Sequence, residues 1–248
     1  MKYLSTLLVL VSILIIGSGC CAPIKTVAAA AGEDDSLQII KHAQDSTVAL
    51  VVVENDKTSL YCGGVWVSNT KIVTAAHCVD FSGRMITDTP PWEEFDPTGT
   101  IVTYINHSDL SPDGDVLPGQ VWIGVVEKFD ASLDLALIKP ILGATPHDVA
   151  QIVDGKLITG QTLHVVGHTA GVAWTYMRGY VVNSRRLAGP EPIVVKAIQV
   201  STPAWYGNSG GGAFDINGNL VGICSWINSS VPSASFFVHY EEVVKFLQ

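Results

Sequence analysis

Three short segments hold residue types that could do chemistry together. His77 lies in Thr74-Ala75-Ala76-His77-Cys78, directly after the strand-like Lys71–Val73. Asp134 opens the apolar run Leu135–Ile138, and Ser209 sits in Gly207-Asn208-Ser209-Gly210-Gly211. A serine hydroxyl is a poor nucleophile at neutral pH. It needs an adjacent base, and the base needs a third group that orients it and stabilises its protonated form. Donors must also face the oxygen on which negative charge develops. An imidazole, a carboxylate and a serine flanked by glycines supply these parts, and the chemistry would be acyl transfer. Glycines at the serine leave room for a substrate and allow unusual backbone angles.

Competing readings of these residues fall on context. The chain has seven histidines. His77 stands apart because the small alanines before it let the backbone turn tightly. Asp130 rivals Asp134, but it precedes the less apolar Ala131-Ser132-Leu133 and reads as a solvated turn residue. Gly207–Gly211 also satisfies the G-x-S-x-G nucleophile elbow, yet an elbow serine is followed by its acid and then its histidine, with βαβ units between. Here the order is His, Asp, Ser. His164 and His168 have i, i+4 spacing, but in a strand-and-turn context that does not put two metal ligands on one face. Asp109, Asp113, Gly114 and Asp115 lack the EF-hand spacing and read as a solvated turn. No metal and no cofactor is expected.

The elements needed to position these groups are strands. Strand-like runs recur at Thr47–Val53, Ser59–Ser68, Lys71–Ala75, Thr100–Tyr104, Val121–Phe129 and Leu135–Ile138, and again at Gln161–Gly167, Val172–Val182, Ile193–Val200, Gly212–Phe214, Leu220–Trp226 and Ser235–Val238. Turn residues punctuate both groups, as in Gly63-Gly64, Asp113-Gly114, Asp154-Gly155 and Asn217-Gly218-Asn219. The pattern predicts an all-β protein of two six-stranded antiparallel barrels packed together, over roughly residues 45–145 and 155–238, with one short C-terminal helix at Tyr240–Leu247. The stretch from Phe81 to Gln120, with five prolines and several carboxylates, is expected to be a long loop with one strand inside it.

At 248 residues and 48% apolar composition the chain can bury a substantial core. A net charge of −9 and the lack of a basic run make nucleic acid an unsuitable partner. The first residues read as an export signal: Lys2, then an apolar run from Leu4 to Ile16, too short for an easy membrane span. Gly17-Ser18-Gly19-Cys20-Cys21 is similar to a bacterial lipoprotein cleavage site. Lipidation at Cys20, ordinary cleavage before Ala28–Ala31, and retention as a membrane anchor all stay open. Pro23–Asp35 reads as a tether, so residues 1–35 form signal and linker and 36–248 the domain. Export permits a disulfide, and Cys62, Cys78 and Cys224 are available for one, with one thiol left over.

Cys62-Gly63-Gly64-Val65 and Thr74-Ala75-Ala76-His77-Cys78, taken with Asp134-Leu135-Ala136-Leu137 and Gly207-Asn208-Ser209-Gly210-Gly211, resemble the trypsin-like serine protease superfamily over about Thr47 to Leu247. The short ending after Phe236-Phe237-Val238 is most similar to HtrA-type proteases and bacterial glutamyl endopeptidases. The resemblance implies an endopeptidase acting on protein or peptide substrates in the periplasm, cell envelope or medium. It implies His77 as general base, Asp134 as its partner, Ser209 as nucleophile, and the backbone N–H groups of Gly207 and Ser209 as oxyanion hole. It also implies a Cys62–Cys78 disulfide, support of the aspartate by Ser225, and substrate pairing along Ser225-Trp226. The pocket before the scissile bond would be lined by Thr202, Pro203, Ala204, Ser225, Trp226 and Ile227. Pro203 stands where trypsins place a carboxylate, and Cys224 where glutamyl endopeptidases place a histidine, so a small apolar side chain is the expected occupant. Asn208 replaces the aspartate that receives a new N-terminus in trypsins, so no activation cut is expected. A catalytically silent peptide-binding module on the same fold is the alternative.

Overall fold

Several apolar runs in this chain are continuous rather than alternating, and the fold explains why. In the computed structural model, which describes residues 31–55, 57–79, 96–111, 113–117, 119–141, 145–152, 155–189, 193–228 and 234–248, strand β1 (Thr47–Glu54) is buried on both faces over its first five residues. Val48 and Leu50 point into one barrel. Ala49 and Val51 point into a second cluster that spans both barrels. Strands buried on both faces read as unbroken hydrophobic runs.

Six strands close the first barrel: β1, β2 (Lys57–Ser68), β3 (Lys71–Thr74), β4 (Ile101–Asn106), β5 (Trp122–Asp130) and β6 (Leu135–Pro140), in the spatial order β1-β2-β3-β6-β5-β4. Six more close the second: β7 (Thr162–Gly167), β8 (Thr175–Ala188), β9 (Val194–Val200), β10 (Gly212–Phe214), β11 (Leu220–Ile227) and β12 (Ser235–His239), in the order β10-β11-β12-β9-β8-β7. All neighbouring strands run antiparallel. The alternation is regular. Ile72, Ala136 and Ile138 fill the first barrel around Trp66 and Tyr104, while Val73, Leu135 and Leu137 face the seam. Leu163, Val165, Val200 and Phe237 fill the second barrel, while Val166, Phe214, Leu220 and Val238 meet the seam from the other side. Burying apolar side chains on both faces of so many strands at about 25 cal/mol per Å² is the main term holding the barrels together.

The C-terminal helix α2 (Tyr240–Leu247) starts where His239 accepts the Glu241 N–H as N-cap. It crosses back to the first barrel, where the Lys128 ammonium lies over the Phe246 ring.

One element departs from expectation. Tyr240–Leu247 was the only helix the sequence pattern supported, but a helix α1 also runs over Ala31–Asp45, across the expected junction at residue 36. Its polar composition hides it, and among its described side chains only Ala43 is fully buried. At its C-terminus the Ser46 and Thr47 hydroxyls and the Ser46 N–H satisfy the Ala43 and His42 carbonyls. The expected signal segment, Cys20 and the start of the tether lie outside the described residues, as does most of the proline-rich stretch before β4. Among the described residues no helix is long and apolar enough to cross a membrane.

Candidate active site

His77 is held by a single turn of 3-10 helix, Ala76–Cys78, that follows β3. A disulfide joins Cys78 to Cys62 on β2, with the two Cα atoms 6.0 Å apart, so the turn is tied to the strand beside it. Asp134 stands at the start of β6, 2% exposed, with a φ of 52°. A left-handed backbone is unusual outside glycine, but aspartate tolerates it better than most residues. Here it turns the carboxylate back toward the His77 turn. Asp134 Oδ1 accepts the His77 backbone N–H at 3.1 Å, and His77 Nδ1 lies 3.0 Å from both carboxylate oxygens. Oδ2 also accepts the Ser225 hydroxyl. Burial lowers the His77 pKa, but the charge and hydrogen bond of Asp134 outweigh it, and the net direction is upward.

Ser225 reaches Asp134 because of a β-bulge. On β11, Cys224 pairs with Phe237 and Trp226 with Phe236, which leaves Ser225 as the extra residue between them. A bulge re-aims a side chain and is frequent beside active sites. Asp130, the rival carboxylate, caps its own turn by accepting from the Ser132 hydroxyl at 2.7 Å and the Leu133 N–H at 3.0 Å.

Ser209, half-buried, lies on the loop between β9 and β10. Its carbonyl accepts the Gly63 N–H at 2.7 Å, one residue from the disulfide, and the next N–H, of Gly210, donates to the Cys224 carbonyl at 2.8 Å, one residue from Ser225. The serine loop is thereby fastened to β2 and β11, the strands whose Cys62 and Ser225 hold the His77 turn and the Asp134 carboxylate. Gly210 must be glycine: its φ is 80°, and a β-carbon would lie 2.2 Å from the Gly63 carbonyl oxygen.

Three of the residues expected to line the pocket meet β12. Ile227 on β11 pairs with Ser235 on β12, and the half-buried Trp226 stacks on Phe236 with centroids 5.1 Å apart. Thr202 is fully buried and its hydroxyl bonds that of Ser235 at 2.9 Å. Pro203 is exposed and Ala204 half-buried. Ser235 and Phe236 were not anticipated as neighbours of these residues, because the register of β11 with β12 is set by the bulge and leaves no mark in the sequence.

Other candidates resolve into structure. Among the described residues, Cys62, His77 and Cys78 are the one set of His, Cys, Asp or Glu ligand atoms close enough to share a metal, within 4.8 Å, but the disulfide consumes both thiols. Asp109 is buried, accepting the Asn106 N–H at 2.6 Å and the Trp122 indole N–H at 2.7 Å. It was expected to be a solvated turn residue and is instead an internal brace. His164 bonds the Tyr176 hydroxyl at 3.0 Å, and His168 bonds elsewhere. Cys224 is a buried free thiol whose pKa burial, then the nearby Asp134 charge, push up to about 12.

Two closed six-stranded barrels, with a histidine, a buried aspartate and a Gly-Asn-Ser-Gly loop brought to their seam, define a trypsin-like serine-type peptidase. The chain belongs to the trypsin-like peptidase domain family, which matches residues 62–223. Among solved structures it is similar to the active form of the Rv3671c protease from M. tuberculosis, with a TM-score of 0.64 and 19% identity over 84% of this chain and 82% of that one. It is also similar to the HtrA-type protease AlgW with tripeptide, at TM-score 0.65 and 20% identity over 86% of this chain and 62% of that one. A serine endoprotease from Yersinia pestis follows at 0.62 and 17%, over 86% and 65%. At these identities the likeness speaks for the fold. No curated protein matches the chain by sequence.

Proposed function

We propose that this peptidase is an active endopeptidase with Ser209 as nucleophile, His77 as general base and then acid, and Asp134 as the carboxylate that orients it. The observation that carries the reading is the buried Asp134 carboxylate gathering two donors from His77 and one from Ser225. With Nδ1 held in this way, Nε2 is the nitrogen left to act as base. Nε2 takes the Ser209 hydroxyl proton as Oγ bonds to the scissile carbonyl carbon, and the carbonyl electron pair moves onto oxygen. The protonated Nε2 then delivers its proton to the departing amine as the C–N bond breaks, leaving an ester on Ser209. Water repeats both steps and releases the acid.

The oxyanion of this reading is met by the N–H groups of Gly207 and Ser209. Asn208 N–H donates to the Trp205 carbonyl and Gly210 N–H to that of Cys224, whereas among the described residues neither Gly207 nor Ser209 N–H is spent on a backbone carbonyl. Substrate backbone would add as a strand beside Ser225-Trp226-Ile227.

Thr202, Pro203, Ala204 and Ile227 would border the pocket for the side chain before the scissile bond. None is charged, and the Thr202 and Ser235 hydroxyls bond each other. A Lys, Arg or Glu side chain would be left without a partner there, so small apolar residues such as Ala and Val are preferred. One methylene discriminates by only about 1–3 kcal/mol, so the preference is broad. The N-terminal segment would export the domain and tether it to the envelope, where a disulfide is stable.

Labelling by a sulfonyl fluoride tests the central reading. Wild type should be modified at Ser209 and lose activity, and Ser209→Ala should show neither labelling nor turnover. Peptide binding without labelling would leave the silent module as the better account. Kinetics on a matched peptide series test the pocket, and highest kcat/KM for Lys, Arg or Glu would overturn its assignment.

A further inference from the structure

The turn after β7 carries a histidine that the reaction above does not use. His168 is 0% exposed. Its Nε2 lies 3.0 Å from the Val48 carbonyl oxygen on β1, and its Nδ1 lies 3.0 Å from the Trp174 backbone nitrogen. A carbonyl can only accept and a backbone N–H can only donate, so Nε2 bears the proton, Nδ1 is bare and the ring is neutral. Burial favours that state and lowers the pKa to about 4, with His107 acting in the same direction against the Val48 hydrogen bond. The ring sits edge-on to Trp174, centroids 4.8 Å apart. Trp174 in turn holds a φ of 47° and shares its indole N–H between the Gln44 and Thr47 carbonyls, at 3.1 and 3.0 Å, where α1 runs into β1.

On its other side the same turn grips the serine loop residue by residue. The His168 carbonyl lies under Gly207, so closely that a β-carbon there would come within 2.2 Å of it. Thr169 donates its hydroxyl to Asn208 Oδ1 at 2.9 Å, and Ala170 N–H donates to the Tyr206 carbonyl at 2.8 Å. Gly207 keeps a φ of 94°. Asn208 is itself a weak anchor: it is uncharged, and its buried Nδ2 has no partner among the described residues.

We propose that His168 is a positioning residue for the oxyanion hole: clamped between Val48 and Trp174, it fixes residues 168–170 against residues 206–208 and so holds the Gly207 peptide with its N–H turned toward the reacting carbonyl. The proposal rests on the reading of Gly207 and Ser209 as the oxyanion donors. It assigns to hydrogen bonds from a neutral imidazole the support that an uncharged Asn208 cannot draw from an ion pair.

Three substitutions separate the contacts. His168→Asn keeps an acceptor for Trp174 N–H, His168→Gln keeps a donor for Val48, and His168→Phe fills the volume with neither. A displaced donor lowers turnover, and misplacement by about 1 Å can lower a rate about a hundredfold. His168→Phe should therefore lose about a hundredfold in kcat with little change in KM, and the Asn and Gln variants should each recover part of it. A peptide aldehyde, whose adduct places an oxyanion in the hole, should lose affinity in step with kcat. The matching peptide alcohol, which forms no adduct, should bind all variants alike. Should His168→Phe not fold, the Asn variant decides, with about a tenfold loss of kcat and of aldehyde affinity expected. Wild-type kcat and aldehyde affinity in folded variants would overturn the proposal, as would a kcat loss with aldehyde affinity unchanged. Turnover by Ser209→Ala would instead overturn the underlying reading of the site.

Discussion

At the scale of residues, the site turns on how Asp134 treats His77. On the proposed reading, the net upward shift of the His77 pKa keeps the base protonated over a wider acid range than a free imidazole would be. Measured against pH, kcat/KM should fall on the acid side through a single ionisation above the ordinary value of about 6.5. Asp134→Asn removes the charge and offers a donor where Nδ1–H needs an acceptor. It should lower kcat by about 10⁴ and move the acid limb down, because burial then acts on His77 unopposed. A profile that keeps its position in the variant would show that Asp134 does not set the histidine's proton affinity. Ser225→Ala, which takes one donor from the carboxylate, should move the limb upward.

At the scale of elements, the His77 turn and α1 each have an anchor that can be removed. The Cys62–Cys78 bridge closes a loop with a sequence separation of 16. In the chain-entropy account a loop of that size stabilises by about 3 kcal/mol, so the Cys62→Ala, Cys78→Ala double variant should melt at a visibly lower temperature. Because the bridge anchors the turn, kcat should drop as well. Unchanged melting and turnover would mean that the turn is held by its packing alone. Helix α1 makes its strong contacts at its last turn, where Gln44 meets Trp174. A chain starting at Ser36 keeps that turn and should match a longer one in activity. One starting at Thr47 loses it and should be less stable and less active. A large gain on exposing any one new N-terminus would instead point to an activation cut.

At the scale of the whole molecule, buried histidines set the response to acid. His168 and His239 are both held down to about 4, His168 mainly by burial and His239 by burial and then Lys196. A histidine with a depressed folded pKa favours the folded state while neutral. That contribution is complete above the unfolded value of about 6.5 and is lost as pH falls toward 4. For His168 the loss is up to roughly 3 kcal/mol. Thermal melting should therefore fall steeply between pH 6.5 and 4, and His168→Phe should flatten the slope. His77 works in the opposite sense. Its raised pKa adds stability that is complete below about 6.5 and fades as pH rises through the folded value, so its effect falls on the neutral side of the window set by the other two. A melting temperature independent of pH between about 6.5 and 4 would show that neither His168 nor His239 is linked to folding.

The sequence by itself determined the class. Its apolar runs and turn residues mark all twelve strands, eleven to within two residues, while β8 starts three residues later and runs six residues further than expected, to Ala188; the His-Asp-Ser order with its glycines is local, so it survives without coordinates. The Cys62–Cys78 pairing that the resemblance implied stands in the structure, with Cys224 as the thiol left over. Only the tertiary structure decided the rest. The helix α1 has little apolar periodicity because its anchor is an indole N–H from a distant turn, and such a contact leaves no repeat to detect. The bulge that aims Ser225 at Asp134, and the register that brings Ser235 to Thr202, are relations between strands that any one strand's sequence is silent about. His168 drew notice only for its spacing from His164, and Asp109 read as a solvated turn. Both became buried braces because hydrogen-bond partners far along the chain, Val48 and Trp174 for one and Trp122 for the other, meet them only after the barrels close. Spacing along a chain can suggest what a side chain is able to do, but burial and partners decide which of those capacities it uses, and both are properties of the packed molecule.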